Sequence, residues 1–334
     1  MLLHQIVERY NLEVTDLVQI HEGFQNTVYS FQRAGRNYIL RITAKCRRRL
    51  EEIENEFAFI FALDEQGVRV SLPIRSIHGR LVELFPDQDK HVFVTVFEKA
   101  SGKPVDVTDK HIWNEAFFYQ WGMVIGAMHD ASKGINKKLT RPVWNCEDPD
   151  LLGLLPQMNS VQIKQQYIHL LNKLKSFSPT PENFGLIHND LHQGNFLVDN
   201  GKMTVFDFDD CAYHWFANDL AVSFYHAYWQ TTSFTPEFTN FSNVFWEHFL
   251  KGYNQKNELT KEMILQIPIF LKIREIFLYH LFLEKWDLDH LEDWQKYTLS
   301  DLKSKIENGI PYSNIDFTLL SEELFDKGNG SLIQ

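Results

Sequence analysis

Residues 185–210 read GLIHNDLHQGNFLVDNGKMTVFDFDD, and the rest of the chain is best understood outward from them. His188, Asp190 and Asn195 stand in the spacing H-x-D-x-x-x-x-N, and Asp207 follows Asp190 by 17 residues. Between them, two strand-like runs, Phe196–Val198 and Thr204–Phe206, flank a turn at Asp199–Lys202. Asn and Asp favour turns, so a lone H-x-D with a later Asn is a weak signal. Here a loop, a hairpin and a second Asp come together. A hairpin returns its two ends to one edge, which brings the Asn195 amide oxygen and the Asp207 carboxylate together. Both are the hard oxygen donors that magnesium prefers. His188 is expected to be a packed core histidine supporting this loop.

The segments before this stretch read as an antiparallel sheet with one helix. Leu17–Ile20, Val28–Phe31 and Tyr38–Ile42 are strand-like, with a polar loop in His21–Thr27 and a turn at Arg33–Arg36. Along Tyr38–Ile42, Tyr38, Leu40 and Ile42 share one face, and Arg41 lies on the other. A helix is predicted from Leu50 to Gln66, with Ile53, Phe57, Ile60 and Phe61 at helical spacing and Gly67 closing it. Leu81–Phe85 and His91–Phe97 read as two more strands, with Pro86 and Asp87 in the turn. The polar segment EKASGKP, Glu98–Pro104, is the candidate linker. Beyond it the chain is mostly helical, around 112–129, 161–174, 219–229, 241–253 and 262–285. An irregular Pro-containing stretch covers 131–160. The expected organisation is an N-terminal lobe over 1–98, a hinge at 99–104 and a C-terminal lobe over 105–334.

Composition narrows the function classes. The chain has 334 residues, 44% hydrophobic and 14% aromatic, which fits a folded protein with a large core. Its net charge of −11 disfavours a nucleic-acid binder with a broad basic face. Residues 1–100 carry 13 Lys+Arg against 14 Asp+Glu, so nearly all of the negative charge falls later. Such acidity keeps a protein soluble and would also tolerate a cationic substrate. No apolar run is long enough to span a membrane, and the N-terminus has no secretory pattern. Cys46, Cys146 and Cys211 form no close pair, so neither a disulfide framework nor a zinc site is expected. A reducing cytoplasm is the simplest setting, with no membrane or nucleic-acid partner.

The H-x-D-x-x-x-x-N spacing and the later Asp207-Phe208-Asp209 are those of a kinase catalytic loop and metal-binding Asp. Phosphoryl transfer needs metal ions on the phosphates and a group that orients the attacking hydroxyl, here Asp190. His21–Tyr29 would occupy the place of a phosphate-covering loop, but only Gly23 is present. Backbone amides and the Asn26 amide could still contact phosphates. Arg41 takes the place of the third-strand basic residue. Glu56, or failing it Glu52, is its expected partner on the following helix.

These segments resemble the aminoglycoside phosphotransferase and choline kinase family, which includes type II homoserine kinases and stress-response kinases. LIHNDLHQGNFLV and VFDFDDCAYHWFANDLA carry most of the resemblance, with YILRI and WGMVIGAMHDAS in support. The resemblance implies an α+β, bilobal protein-kinase-like fold: a small antiparallel-sheet N-lobe with one helix, and a large, mostly helical C-lobe. It implies ATP and Mg2+ as nucleotide and metal, Asp190 as the catalytic residue, and Asn195 and Asp207 as metal ligands. Asn26, Val28, Arg41, Glu56 and Leu197 fall with the nucleotide, and Asp219 would brace the catalytic loop. No activation segment ending in A-P-E follows Asp207, which points to the hydroxyl of a small molecule rather than a protein side chain. Glu284, Trp286, Asp287 and Trp294 could box a cationic substrate, although core aromatics and solvated acids are the commoner use of such residues. A non-catalytic structural relative and a protein Ser/Thr kinase are the rival readings.

Overall fold

The computed structural model describes residues 2–20, 26–87, 90–135, 138–145 and 153–325. Contacts divide the chain into two compact units. One comprises Met1–Pro104, Ile135–Arg141 and Asn195–Asp209; the other comprises Val105–Gly134, Pro142–Gly194 and Asp210–Gln334.

The first unit starts with a short helix, α1 (Leu2–Glu8), that the sequence reading did not anticipate. Then come β1 (Val18–Ile20), β2 (Thr27–Arg33), β3 (Arg36–Ala44), helix α2 (Leu50–Glu65), β4 (Pro73–Ile74), β5 (Val82–Asp87) and β6 (Lys90–Glu98). The strands form one antiparallel sheet in the order β1-β2-β3-β6-β4, with β5 also paired to β6. Ile6, Tyr10, Phe31, Tyr38, Leu40, Phe85, Val92, Val94 and Val96 make a common core, so α1 and one sheet face bury each other's apolar surface. Pro86 and Asp87 are paired with His91 and Lys90, so they extend β5 rather than forming the turn. The expected phosphate-covering loop falls largely on His21–Gln25, outside the described residues.

In α2 the buried residues are Ile53, Glu56, Phe57, Phe59, Ile60 and Leu63, while Phe61 is exposed. At 100° per residue Phe61 lies roughly 80° round from Ile53, away from Phe59 and Leu63. The buried stripe is therefore centred on the Glu56–Ile60 side, and this carries Glu56 inward.

The first unit also includes the hairpin of β8 (Phe196–Asp199) and β9 (Lys202–Val205). The second strand sits two residues earlier than its predicted start at Thr204, because Asp199 and Lys202 close the turn as a pair. Val205 N–H donates to Arg69 O at 2.9 Å, and Ser71 N–H donates to Val205 O at 2.9 Å. Val198 and Lys103 exchange a pair of backbone bonds at 3.0 Å each. Gly102 permits that bridge: its φ is +108°, and an added Cβ would lie 2.2 Å from Val198 O.

The second unit is mainly helical: α3 (Glu115–Lys133), α4 (Val161–Leu174), α5 (Phe216–Phe234), α6 (Phe241–Asn254), α7 (Lys261–Lys285), α8 (Asp293–Glu307) and α9 (Phe317–Phe325). It also holds the paired strands β7 (Phe184–Ile187) and β10 (Ala212–Trp215). The helix predicted from Ile112 begins at Glu115, where Asn114 caps it by accepting from Phe117 N–H at 3.2 Å. Gly122 and Gly252 let α3 and α6 touch backbone to backbone: an added Cβ on either would lie 1.9 Å from a carbonyl of the other helix. Among the described residues, no helix is long and apolar enough to cross a membrane.

Candidate active site

In the first unit, Arg41 projects from the face of β3 opposite Tyr38 and Leu40, and Glu56 rises from the inner stripe of α2. They meet in a two-pronged pair: Arg41 Nη1 donates to Glu56 Oε1 at 2.9 Å, and Nη2 donates to Oε2 at 2.8 Å. Both side chains are buried, and the guanidinium also lies 5.0 Å from the Phe97 ring centroid. Burial alone would lower the Arg41 pKa; Glu56, Asp209 and Asp207 outweigh it and raise it. Glu52, the alternative partner, instead accepts from the Arg49 backbone N–H at 2.7 Å.

The β8–β9 hairpin sets the two oxygen donors. Phe206 N–H donates to Asn195 O at 3.0 Å, so Asn195 and Asp207 stand at the same end of the hairpin. Asp207 is exposed and has a φ of +63°, a left-handed backbone uncommon outside glycine that Asp tolerates better than most residues. An amide and a carboxylate from neighbouring positions suit a divalent metal that takes oxygen ligands. Leu197 is half-buried on β8 and Val28 half-buried on β2. Asn26 donates through Nδ2 to Asp209 Oδ2 at 3.1 Å and accepts from Thr43 Oγ1 at 2.9 Å.

Asp209 was not singled out by the sequence reading. Its carboxylate receives Arg47 Nη2 at 2.6 Å and Arg48 Nε at 3.1 Å, and its carbonyl receives Arg48 Nη2 at 2.9 Å and also Arg141 Nη2. Burial would raise the Asp209 carboxyl; Arg41, Arg48, Arg47 and Asn26 hold it well below the usual carboxylate range. The run of three arginines at 47–49, directly after a strand, was the available signal.

In the second unit, His188 and Asp190 follow β7. Asp219, buried on α5, accepts from His188 N–H at 3.0 Å and from Asn189 N–H at 2.7 Å. Asn189 takes a φ of +72° there. His129 Nε2 lies 3.2 Å from Asp219 Oδ2, and its Nδ1 lies 3.0 Å from the Tyr253 hydroxyl. Burial lowers the His129 pKa despite Asp219. His188 is fully buried, and its Nδ1 accepts from Asp190 N–H at 3.3 Å.

The Asp190 carboxylate is 28% exposed and receives Arg274 Nη2 at 2.5 Å. Arg274 comes from α7 and also donates to His226 Nε2, at 2.8 Å from Nη2 and 3.2 Å from Nε. His192 Nε2 lies 3.7 Å from Asp190 Oδ2, and its ring stacks on His226 with centroids 4.4 Å apart. Burial would raise the Asp190 pKa; Arg274, His192 and His188 outweigh it and lower it. His192 is pushed down to about 4 by burial, with Arg274 adding to the effect, and His226 falls well below its ordinary value for the same first reason. Near pH 7 this cluster therefore holds one carboxylate, one guanidinium and two neutral imidazoles. Arg274 and His226 lie far along the chain from Asp190, and no local pattern announces them.

Further out on the second unit, Trp286 stacks on Phe282 with centroids 4.3 Å apart, and Trp294 meets Trp286 edge-on at 5.3 Å. The two acids expected beside them have partners within the chain: Glu284 accepts from Lys285 at 2.7 Å, and Asp287 lies 2.9 Å from His290 Nδ1. Trp294 is exposed.

Comparison with known proteins shows the family. The model of the family described as "Phosphotransferase enzyme family" matches residues 16–255. An amicoumacin kinase of Bacillus subtilis (strain 168) is 34% identical over 322 residues, covering 95% of each chain. A solved amicoumacin kinase in complex with AMP-PNP, Ca2+ and Ami has a TM-score of 0.88 and 32% identity, covering 96% of each chain. A microcompartment-associated aminopropanol kinase superposes with a TM-score of 0.74 at 22% identity, covering 91% of this chain and 94% of its own, and supports the fold alone. The fold is thus the α+β, protein-kinase-like one, and the chain belongs to the phosphotransferase enzyme family, whose members act on hydroxyl groups of small molecules.

Proposed function

We propose that this protein transfers the γ-phosphoryl group of ATP to a hydroxyl of an amicoumacin-like small molecule. It is an ATP- and divalent-metal-dependent kinase of small molecules, and its similarity to amicoumacin kinases over nearly the whole chain supports the finer assignment of the acceptor. One observation in the fold supports the chemistry: Asn195 and Asp207, an amide and a carboxylate, stand at the same end of the β8–β9 hairpin. These two residues would hold Mg2+, which neutralises charge on the phosphates when bound. The first unit is assigned to the nucleotide, through Arg41 held by Glu56 and with Asn26, Val28 and Leu197 lining its place.

The second unit is assigned to the acceptor. Asp190 orients the attacking hydroxyl by accepting its hydrogen bond. A carboxylate held below its ordinary pKa is a weak base, yet it stays ionised and can still accept the hydroxyl's hydrogen bond. That suits a loose transition state, in which the hydroxyl proton is lost late and positioning contributes most. His188 and Asp219 fix the backbone that presents Asp190. The acidic balance of residues beyond 100 favours an acceptor that carries an amino group. We place the enzyme in the cytoplasm, where ATP is available.

The test is ATP consumption by the purified chain against a panel of amicoumacin, aminopropanol, choline, homoserine and aminoglycosides. Phosphorylated amicoumacin should form, and Asp190→Ala should abolish turnover while leaving ATP binding largely intact. Full activity in that variant would sink the assignment of Asp190. Turnover of another acceptor in the panel, with amicoumacin untouched, would move the substrate while keeping the reaction.

A further inference from the structure

The turn that presents Asp207 is held by its neighbours. The Asp207 backbone lies at φ +63°, a left-handed region uncommon outside glycine that Asp tolerates better than most residues. Asp207 itself is exposed. The next two residues are buried and anchored. Phe208 is buried and packs edge-on against Phe59 of α2, with centroids 5.8 Å apart. The Asp209 side chain is only 4% exposed.

Both carboxylate oxygens of Asp209 and its carbonyl are engaged. Arg47 and Asn26 reach Oδ2, Arg48 reaches Oδ1, and Arg48 and Arg141 reach the carbonyl. Arg48 therefore grips side chain and backbone of the same residue, which fixes the peptide orientation as well as its position. The other ends of these contacts are themselves fixed. Arg141 Nη1 donates to Glu52 O of α2 at 3.0 Å, and Asn26 accepts from Thr43 of β3. Charge balance for one carboxylate requires one cation, and three arginines converge on this residue. Their arrangement serves geometry.

We infer that Asp209, clamped by Arg47 and Arg48, is the positioning residue that sets Asp207 for the metal–nucleotide complex. This rests on the reading of Asp207 as a metal-holding carboxylate. In the protein-kinase motif the same position is glycine, a conformationally free residue. Here a buried, ion-paired carboxylate replaces that freedom with a lock, and the metal-holding turn is tied to β3 and to the start of α2. The clamp acts on how well the turn is formed before any ligand arrives. Its loss shows as a higher metal requirement rather than as a change in acceptor recognition.

The experiment compares wild type, Asp209→Asn, Arg48→Lys and Asp207→Ala. Hydrogen exchange of amides 206–210 is measured in the metal-free protein, and AMP-PNP binding is titrated with Mg2+. In Asp209→Asn, exchange of these amides and the Mg2+ needed for half-maximal binding should each rise about tenfold or more, as expected for losing one buried charge-assisted contact. Acceptor KM at saturating metal should stay unchanged, and raising Mg2+ should restore nucleotide binding. Arg48→Lys keeps the charge but loses the two-point grip, so it should fall between wild type and Asp209→Asn. If Asp207→Ala loses Mg2+-dependent binding while Asp209→Asn matches wild type in exchange and metal requirement, the clamp is wrong and the metal reading stands. If Asp207→Ala keeps that binding, the metal reading itself falls. A folded Arg48→Lys variant with wild-type exchange would also overturn the clamp, even if Asp209→Asn fails to fold.

Discussion

Replacing Glu56 by Gln tests the Arg41–Glu56 pair assigned to the nucleotide side. The substitution keeps the shape and one acceptor oxygen but removes the charge opposite Arg41. Arg41 is 5% exposed and Glu56 is fully buried, so water cannot take over the lost contact. Breaking a buried ion pair by removing one partner costs about 3–5 kcal/mol. Two features reduce the loss here: Gln can still accept one of the two guanidinium bonds, and Asp207 and Asp209 continue to attract Arg41. About 2–3 kcal/mol remains, which corresponds to roughly 30- to 140-fold faster opening of the surrounding structure. All eight tryptophans lie in the second unit, so their fluorescence would miss the change. The assay is hydrogen exchange of amides in β3 and α2, together with the KM for ATP. Both should worsen. Replacing both partners with apolar residues should cost less stability than Glu56→Gln alone, because no orphaned charge remains. Exchange within about threefold of wild type in Glu56→Gln, with an unchanged ATP KM, would refute the reasoning.

Arg274→Ala should lower kcat by about tenfold or more, since a hydrogen bond to a charged group is worth about 1.5–3 kcal/mol. Because Arg274 helps hold the Asp190 pKa down, the acid limb of the rate profile should move to higher pH; an unmoved limb would show that Arg274 does not set that ionisation. The sign follows for stability as well. A depressed carboxyl contributes stability above its unfolded value near 3.9, lost as pH falls through the folded value, and Arg274→Ala should shrink that contribution. Gly102→Ala should destabilise the first unit by about 2–4 kcal/mol, because the new Cβ meets Val198 O and the residue sits at positive φ. Hydrogen exchange at Val198 and Lys103 reads this directly, and unchanged protection there would count against the bridge.

What was legible in the sequence was local. Arg41 follows from strand alternation, Glu56 from the helical turn it occupies, and Asn195 and Asp207 from a hairpin whose ends must meet. Each depends on residues within about one element of its neighbour. The misplaced features needed information from further away. Phe61 was expected inside because it is large and near the right spacing, yet Phe59 and Leu63 shift the buried stripe away from it. β7 and β10 pair across the intervening residues 188–211, so neither stands out as half of a local hairpin. The 195–209 hairpin belongs with the first unit through backbone bonds to Arg69, Ser71 and Lys103, which no periodicity encodes.

The two carboxylates that escaped a full reading, Asp190 in its partners and Asp209 altogether, show why arginine contacts are the hardest part of such a site to infer. A guanidinium reaches far from its own backbone, so its position in the chain says little about the anion it meets. Burial then separates the two cases. Asp209 is 4% exposed with both oxygens engaged, a carboxylate committed to shape. Asp190 is 28% exposed beside Arg274, a carboxylate that water and an acceptor hydroxyl can still reach. An arginine beside the first kind sets geometry, and its replacement should be felt without any ligand present. Beside the second kind it sets ionisation, and its replacement should be felt in the pH dependence of turnover.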